Sequence, residues 1–420
     1  MLKQPSTFGS ELRRARLASE MTLTELSSLI HYSKSQLSKV ETGHKRPTPE
    51  LARLCDGALE CGGALIALVP ERLRSEDSAP STGRTSSGWD PPGRRQILGA
   101  GAAAALGTAV PESRPPVDLL TDGTLLDASS ALFDQFRRLG QTAPPGAVVP
   151  ALAEQTRTLR ALAVRSGPRT GHGLLTLCAR YAEFAGWMAQ EAGEEQAALR
   201  WTEYAVELAA ASDDESLASY ALVRRGLVAY YAGDAAGTVA LAQGARSSRL
   251  PRRIRGLAAQ REAQGHALAG NETACLRELD RARGLLAQGS RVDEGPVLGT
   301  THLTDPVAMI TGWCLLDLGR PQQASKILDE EIRRVPAEAM RTQARYGARR
   351  ALAHALAGEI EHACAIAREL LSAAHIVGSA TIALDLRRLS RTLGRHPRNP
   401  AVRTLAPLLA FSLSPAADVF

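Results

Sequence analysis

Two helix-start signals only eleven residues apart constrain how the N-terminal part of this chain can fold. Both match the S/T-x-x-E/Q capping box, and they are Thr22 with Glu25 and Ser33 with Gln36. In a capping box, the two side chains bind backbone amides that the first helical turn leaves without partners. The sequence therefore predicts two short helices that begin near residues 22 and 33, with a tight turn between them.

Apolar residues spaced three and four apart give each short helix one face to bury. They are Leu26, Leu29, Ile30, Leu37 and Val40. Upstream, the spacing of Phe8, Leu12 and Ala15 predicts a first helix. Downstream, Thr48-Pro49 is a helix start with proline at the first helical position. We therefore expect residues 1–69 to form an all-α bundle of four or five helices.

The second short helix keeps short polar and cationic side chains outside this core, near its N-terminal end. They are Lys34, Ser35, Ser38 and Lys39. DNA recognition helices present such groups to base edges and phosphates. Between Phe8 and Arg46, seven Lys and Arg stand against four Glu, a net charge of +3. This charge suits a domain that binds DNA as a dimer with several phosphate contacts per half. The alternative is a helical bundle that binds protein instead of DNA.

Over about residues 8–62, the segment resembles the Cro/C1-type helix-turn-helix of the XRE family of transcriptional regulators. The resemblance rests on Glu25-Leu26, the run Ser-Gln-Leu-Ser-Lys-Val-Glu-Thr-Gly at 35–43, and Lys45-Arg46 ahead of Pro47. It implies that a recognition helix lies in the major groove of double-stranded DNA. The DNA-binding residues that it implies are Thr22, Thr24, Ser33, Lys34, Ser35, Gln36, Ser38, Lys39, Lys45 and Arg46.

The same resemblance implies a structural ion pair between Arg16 and Glu41, which would join the first helix to the end of the recognition helix. Two positions depart from the family pattern. Leu23 replaces a polar residue that usually helps to hold a phosphate, and His31 replaces the small residue common in the turn. We expect His31 to adopt a positive φ, which is uncommon for a residue with a side chain.

Residues 70–117 differ from the rest in composition and are predicted to be a linker, because they hold seven prolines and little apolar periodicity. Arg94-Arg95 precede an Ala/Gly-rich run, for which we expect a short helix. Paired arginines before an apolar run also mark export signals, but such a signal belongs at an N-terminus. The run Gly99-x-Gly101-x-x-Ala104 matches a dinucleotide fingerprint but lacks the strand that this motif requires in front of it.

Residues 118–420 are predicted to form a succession of helices with an internal repeat. A turn glycine recurs at intervals of 40, 37, 49 and 39 residues, at Gly193, Gly233, Gly270, Gly319 and Gly358. Small residues precede each glycine by seven positions and follow it by five, and antiparallel helices need such residues to approach closely. The spacing resembles the tetratricopeptide repeat, in which helical hairpins stack into an α-solenoid. A generic helical bundle is the alternative.

The first helix of each hairpin would face the concave side of the solenoid, where ligands bind. The polar and aromatic residues on these helices are Arg180, Tyr181, Glu183, Trp187, Arg224, Arg225, Tyr230, Arg261, Gln264, Trp313, Arg345 and Arg349. Regulators with this domain combination resemble peptide-pheromone sensors, in which inner-helix asparagines hold the peptide, but this chain has only two asparagines. Its composition looks more like that of an actinobacterial regulator. The effector class stays open among peptide, small molecule and protein.

Enzymatic and metal-binding signatures are weak. None of the motifs H-E-x-x-H, G-x-S-x-G and G-x-x-x-x-G-K-[ST] occurs, so we expect no enzyme and no cofactor. The six cysteines include no C-x-x-C pair, which argues against a zinc site and a disulfide framework and favours a reducing cytoplasm. His354, His362 and His375 come closest to a metal cluster, together with Glu359 and Glu361. We expect them to be solvated neighbours with no metal.

Taken together, these patterns predict a cytoplasmic, sequence-specific transcriptional regulator that binds a DNA operator as a homodimer and does not insert in a membrane. Its repeat domain would serve dimerisation, effector sensing or both. The alternative is a protein-binding scaffold that its helix-turn-helix tethers to DNA or to a partner such as a sigma factor.

Overall fold

The computed structural model describes residues 7–69, 89–91, 122–287, 298–299 and 302–414, and every regular element in these ranges is an α-helix. The predicted all-α class is confirmed. Five helices form the N-terminal bundle, which we call the head: α1 (Phe8–Ala18), α2 (Leu23–Leu29), α3 (Lys34–Glu41), α4 (Pro49–Ala58) and α5 (Ala64–Ala67). None of the described helices combines the length and the hydropathy that crossing a bilayer requires.

The helices of the head begin where the capping signals predicted. Thr22 Oγ1 accepts a hydrogen bond from the Glu25 amide at 3.2 Å, and Glu25 Oε2 accepts one from the Thr22 amide at 2.7 Å. Ser33 Oγ likewise accepts from the Gln36 amide at 3.2 Å. The second capping box is only half formed, because within the head the Gln36 side chain makes no return bond to Ser33.

The core of the head follows the predicted apolar spacing with one exception. Its largest buried residues are Phe8, Leu12, Leu26, Ile30, Leu37, Val40, Leu51 and Leu54. Leu29 was expected in this core but is 47% exposed. The physical reason is the shortness of α2, because Leu26 and Ile30, one turn apart, already fill its inward side.

The remaining helices are arranged as antiparallel pairs. They are α6 (Asp122–Thr142), α7 (Pro145–Arg165), α8 (Pro168–Glu191), α9 (Glu195–Ala210), α10 (Glu215–Tyr231), α11 (Ala235–Gly244), α12 (Arg252–Leu268), α13 (Glu272–Leu286), α14 (Pro306–Asp317), α15 (Pro321–Ile332), α16 (Met340–Leu356), α17 (Ile360–Val377), α18 (Ala380–Leu393) and α19 (Pro400–Leu413). The five predicted turn glycines join the pairs from α8/α9 to α16/α17, and each has a φ between +73° and +88°. Only glycine adopts that conformation without steric cost.

The small residues predicted beside these turns lie where paired helices touch. A Cβ on Gly186 would stand 3.3 Å from the Ala198 carbonyl oxygen, and one on Gly226 would stand 3.6 Å from the Thr238 carbonyl oxygen. All of their counterparts on the second helices are buried: Ala198, Thr238, Cys275, Ala324 and Ala363. In the other repeats the first-helix positions are equally buried, at Ala263, Gly312 and Ala351. This helical-repeat-like arrangement confirms the predicted hairpins.

The array of hairpins curves until its first helix meets a late one. The first helices of successive pairs pack on one another from α8 to α18, and α6 packs against α16 and α17. Arg341 on α16 joins the two ends, because its guanidinium donates to the carbonyl oxygens of Gly140 at 2.7 Å and Ala143 at 2.6 Å. Its side chain is 1% exposed, so this contact lies deep inside the protein.

At this closure, the carboxylate of Glu191, at the end of α8, is the counter-charge of two arginines. It pairs with Arg345 and, at 3.3 Å, with Arg341, and it accepts a hydrogen bond from Ser379 Oγ at 2.7 Å. Burial alone would raise the pKa of Glu191, but the two guanidinium groups outweigh it and hold this pKa at about 2. Elements far apart in the chain therefore meet at one ionised carboxylate.

Part of the predicted linker is anchored on the repeat domain. The Trp89 carbonyl oxygen accepts a hydrogen bond from Trp201 Nε1 at 2.6 Å, and Asp90 pairs with Arg200 on α9. The predicted short helix, Arg94-Arg95 and the Gly99–Ala104 motif lie outside the described residues. The proposed boundaries at residues 69 and 117 stay predictions.

The Glu191 cluster yields a first prediction. Replacing Glu191 by Gln should lower the free energy of unfolding by about 3 to 5 kcal/mol, because two buried guanidinium groups lose their counter-charge. The depressed pKa means that Glu191 stabilises the fold above pH 4.5, its ordinary pKa, and that this contribution disappears as the pH falls toward 2. Glu191→Gln should remove that part of the acid sensitivity.

Denaturant unfolding between pH 3 and pH 7 measures both effects. Glu195→Gln, at an exposed position on the next helix, is the matched control and should change stability little. Equal stability of the two variants would contradict this account of the closure.

Candidate nucleic-acid interface

Most of the residues predicted to contact DNA share one property, which is that they are exposed. Nine of the ten are exposed: Thr22, Thr24, Ser33, Lys34, Ser35, Ser38, Lys39, Lys45 and Arg46. Gln36 is half-buried. The opposite side of α3 is anchored by Leu37 and Val40, which are at most 2% exposed. The helix therefore presents a continuous polar, cationic face, and its role toward DNA stays a prediction.

An ion pair fixes the orientation of α3 within the head. Arg16 on α1 binds Glu41 with both of its branches, Nε to Oε1 at 2.7 Å and Nη2 to Oε2 at 3.0 Å. Its Nη1 also donates to the Met21 carbonyl oxygen at 2.8 Å. Both side chains are at most 10% exposed, and a bidentate pair has a defined geometry. The pair thus links the start of α2, α1 and the end of α3.

Gly9 is a second determinant of this orientation, and sequence reasoning missed it. A Cβ at Gly9 would lie 2.4 Å from the Val40 carbonyl oxygen and 2.7 Å from that of Glu41, both at the end of α3. The backbones of α1 and α3 are therefore in contact. The available signal was a glycine inside a helix, which normally destabilises the helix and so indicates a packing role.

The turn between α2 and α3 contacts the repeat domain. His31 has the predicted positive φ, at +51°. Its ring lies over the turn of the α16/α17 hairpin, where a Cβ on Gly358 would be 2.7 Å from the ring. The residue that departs from the family pattern in the turn is therefore part of a contact between the two domains.

Two further repeat turns meet the head backbone to backbone. A Cβ on Gly57 in α4 would lie 2.5 Å from the Leu318 carbonyl oxygen, and one on Gly319 would lie 2.2 Å from the Arg53 carbonyl oxygen. At the turn of the α12/α13 hairpin, a Cβ on Gly63 of the head would lie 2.2 Å from the Ala269 carbonyl oxygen. The head thus contacts the turns of three successive hairpins. At Gly57, Gly63 and Gly319 the two backbones are too close for a Cβ.

Polar contacts flank these glycines. Glu50 on α4 pairs with Arg395 at 3.4 Å and accepts a hydrogen bond from Thr392 Oγ1 at 3.2 Å. The Arg395 guanidinium also lies over the ring of Tyr32, 4.6 Å from its centroid. This interface uses α4, α5 and the turn before α3, so the exposed face of α3 stays outside it. The head is therefore held in one orientation with its cationic face free.

Most of the residues predicted to face the concave side of the solenoid lie around one cavity. Of the twelve, eight line one cavity between the first helices of the hairpins. The four that do not line it are Tyr181, Arg225, Tyr230 and Arg349. Tyr230 and Arg349 instead belong to a buried network, in which Tyr230 accepts a hydrogen bond from Trp313 Nε1 at 2.6 Å and Arg349 pairs with Asp385 at 2.8 Å.

His354 was expected to be a solvated neighbour of the acids, but it is buried, at 4% exposed. His354 Nδ1 lies 2.6 Å from Glu359 Oε2, and its Nε2 lies 3.1 Å from Asp329 Oδ1. Asp329, His354 and His362 could together offer three ligand atoms to a metal. Both ring nitrogens of His354 are, however, already engaged by carboxylates, and Asp329 also pairs with Arg350. His375 is not in this group, and its ring stacks on Phe411.

Comparison with known proteins supports the assignment of the head. Residues 7–69 match a protein family described as a helix-turn-helix domain. Comparisons with curated proteins and with solved structures gave no match. The matched range coincides with the described part of the head, from the cap of α1 to the residues after α5. A helix-turn-helix domain indicates DNA binding and a role in the regulation of transcription.

The docking of the head yields a second prediction. Gly57→Ala should lower the stability of the full chain by about 1 to 3 kcal/mol, because the new methyl group forces α4 away from the turn at Leu318. Alanine is nevertheless the better helix former, so the head itself should stay folded. The rate of backbone amide hydrogen exchange should rise on both sides of the contact, in α4 and at residues 317–319.

Gly284→Ala is the matched control, because a Cβ there meets nothing within 4 Å and the residue also lies in a helix. That substitution should be neutral or slightly stabilising. Unchanged exchange at residues 317–319 in Gly57→Ala would show that the contact does not hold the head.

Proposed function

We propose that the chain is a sequence-specific DNA-binding transcriptional regulator in which α3 enters the major groove of an operator. The observation that carries the proposal is the exposed face of α3, which holds Lys34, Ser35, Ser38 and Lys39 on a helix fixed by the Arg16–Glu41 pair. A recognition helix needs this combination of free polar groups and rigid support. We assign no catalytic activity to the chain and place its action in the cytoplasm.

We further propose that the regulator acts as a homodimer. A net charge of +3 over residues 8–46 gives one head a modest electrostatic attraction for DNA, so two linked heads would supply the affinity. Two-fold symmetric heads read half-sites about 34 Å apart, which makes affinity sensitive to the orientation of each head. Because the head is docked on the repeat turns, the repeat domain would set that orientation.

The proposed role of the repeat domain is that of a tetratricopeptide-like sensor. Its support is the hairpin array with turn glycines at Gly193, Gly233, Gly270, Gly319 and Gly358. A ligand that binds one arrangement of the hairpins better than another would shift the population of head orientations. The regulated genes would respond through this shift.

Selection of bound DNA from a random pool tests the proposal. We expect the purified full-length protein to enrich a two-fold symmetric motif at fixed salt. The double variant Lys34→Ala/Lys39→Ala should lose the motif and bind at least about tenfold more weakly, because two cationic groups leave the reading face.

A control with the same charge change is Lys326→Ala/Arg333→Ala, at two exposed positions of the repeat domain. This control should enrich the wild-type motif. A pool without enrichment, or enrichment that does not depend on Lys34 and Lys39, would favour a protein-binding scaffold instead, tethered through its helix-turn-helix to a partner such as a sigma factor.

A further inference from the structure

The closed curvature of the repeat domain leaves a cavity of about 180 Å³ among its inner helices. Its walls come from α6, α8, α10, α12, α14 and α16, so it lies on the axis of the array. A cavity of about 150 Å³ holds a benzene molecule. The space here therefore fits a small organic molecule slightly larger than benzene and is too small for a folded segment of protein.

The charge around this cavity is strongly unbalanced. Six arginines line it, Arg137, Arg180, Arg224, Arg261, Arg341 and Arg345, but only one carboxylate does, that of Glu183. Several of the arginines are compensated by acids in or behind the wall. Glu183 pairs with Arg224, Asp214 with Arg180 at 2.8 Å, and Glu191 with Arg341 and Arg345. Three carboxylates thus serve at least four guanidinium groups, and the site keeps a net positive charge.

Arg261 differs from the other arginines in its bonding. Its Nη1 donates to Gln264 Oε1 at 2.6 Å, and among the described residues no carboxylate pairs with it. Its Nε is buried and has no hydrogen-bond partner. Burial, together with the nearby Arg224 guanidinium, lowers the pKa of Arg261 to about 10, so it stays charged at neutral pH. A buried charge without a counter-ion destabilises a fold, which indicates a role other than stability.

The unpartnered groups around the cavity are all of one chemical kind. Buried hydrogen-bond donors without partners occur on Arg180, Arg261, Arg345, Gln260 and Gln264, whereas no described lining residue contributes an unpartnered acceptor. Buried polar groups in native proteins normally have partners, so an unsatisfied set requires an explanation. A lining in which the unpartnered groups are donors favours a ligand that carries acceptors.

Aromatic rings complete the lining. Phe184 and Trp187 lie on α8, with their ring centroids 5.3 Å apart, and Trp313 lies on α14 beside Tyr346, at 6.2 Å. The Phe184 and Trp187 rings offer apolar surface next to the donors, whereas the Arg349 guanidinium lies over the Trp313 ring, 3.5 Å from its centroid. Such a mixture of aromatic walls and a few convergent polar groups is typical of small-molecule sites.

We propose that this cavity binds a small organic anion whose carboxylate or phosphate group accepts hydrogen bonds from Arg261 and whose apolar or aromatic body packs on the rings. The anion would supply the counter-charge that Arg261 lacks. This inference rests on the proposed function, because it names the effector class of the regulator, but its binding test is independent of DNA.

Helix α14 connects the cavity to the contact between the repeat domain and the head. Trp313 lines the cavity, and Asp317, one turn later on the same helix, is bonded to the Tyr230 hydroxyl that also holds Trp313. Gly319 lies two residues after Asp317 and touches the backbone of Arg53 in α4. A ligand that moves Trp313 therefore acts six residues from the head contact, and we expect it to change DNA affinity.

Isothermal calorimetry and tryptophan fluorescence with defined probes test the site. The probes are benzoate and phenyl phosphate, which distinguish the two acid groups, and benzylamine, which has a similar body and the opposite charge. We expect at least one of the two anions to bind, with a change in tryptophan emission because Trp187 and Trp313 line the cavity. Benzylamine should not bind.

Variants assign the binding to Arg261. Arg261→Gln should weaken binding of the anion at least tenfold, and Arg261→Lys, which keeps the charge, should weaken it less. Arg225→Gln is the matched control, because Arg225 is exposed on α10 and does not line the cavity. Without ligand, Arg261→Gln should melt at the same temperature as the wild type or higher, which a purely structural role for Arg261 would not produce.

The proposal is overturned if neither anion binds, if benzylamine binds as well as they do, or if Arg261→Gln binds like Arg225→Gln. Calorimetry measures anion binding without DNA, so it tests the cavity proposal independently of the proposed function. If an anion binds through Arg261 but no DNA motif is enriched, the cavity assignment is supported and the proposed function as a DNA-binding regulator is contradicted.

Discussion

The contact on which the arrangement of this protein depends is the one between the head and three repeat turns, two of which meet the head backbone to backbone and the third of which meets the His31 ring. Gly57 and Gly63 on the head meet the turns at Gly319 and Gly270 at distances that leave no room for a Cβ. Close-packed interiors transmit displacement instead of absorbing it. A head that rests on the turns through bare backbone therefore follows any change in how the hairpins are stacked, while its α3 face stays free.

Buried charge serves two purposes in the repeat domain. At the closure of the array, Glu191 pairs with Arg341 and Arg345, and Arg341 also donates to nearby carbonyl groups, which joins helices far apart in sequence. In the cavity, the charge of Arg261 is left without a carboxylate. The two sites lie in the same inner layer of helices. We infer that the first holds the inner helices together around the cavity, and that the second gives the cavity selectivity for anions.

The sequence predicted the features that have local causes. The caps at Thr22 and Ser33, the positive φ of His31 and the five turn glycines all follow from rules that act within a few residues. The misjudged details, the burial of Leu29 and the return bond of Gln36, depend on how a two-turn helix meets its neighbours. The docking at Gly57, the role of Arg341 and the isolation of Arg261 could not be predicted, because each depends on contacts between residues far apart in the chain.

The most direct test of this account is the distance between the head and the repeat domain in solution. Spin labels can be attached through Ser10→Cys on α1 and Gln323→Cys on α15, both exposed, in a Cys61→Ser background, since the other five cysteines are buried. Pulsed dipolar spectroscopy then measures the distribution of distances in the full-length protein. The account predicts one narrow distribution before any DNA is added. A broad distribution, as expected for a head tethered only by the linker, would contradict it.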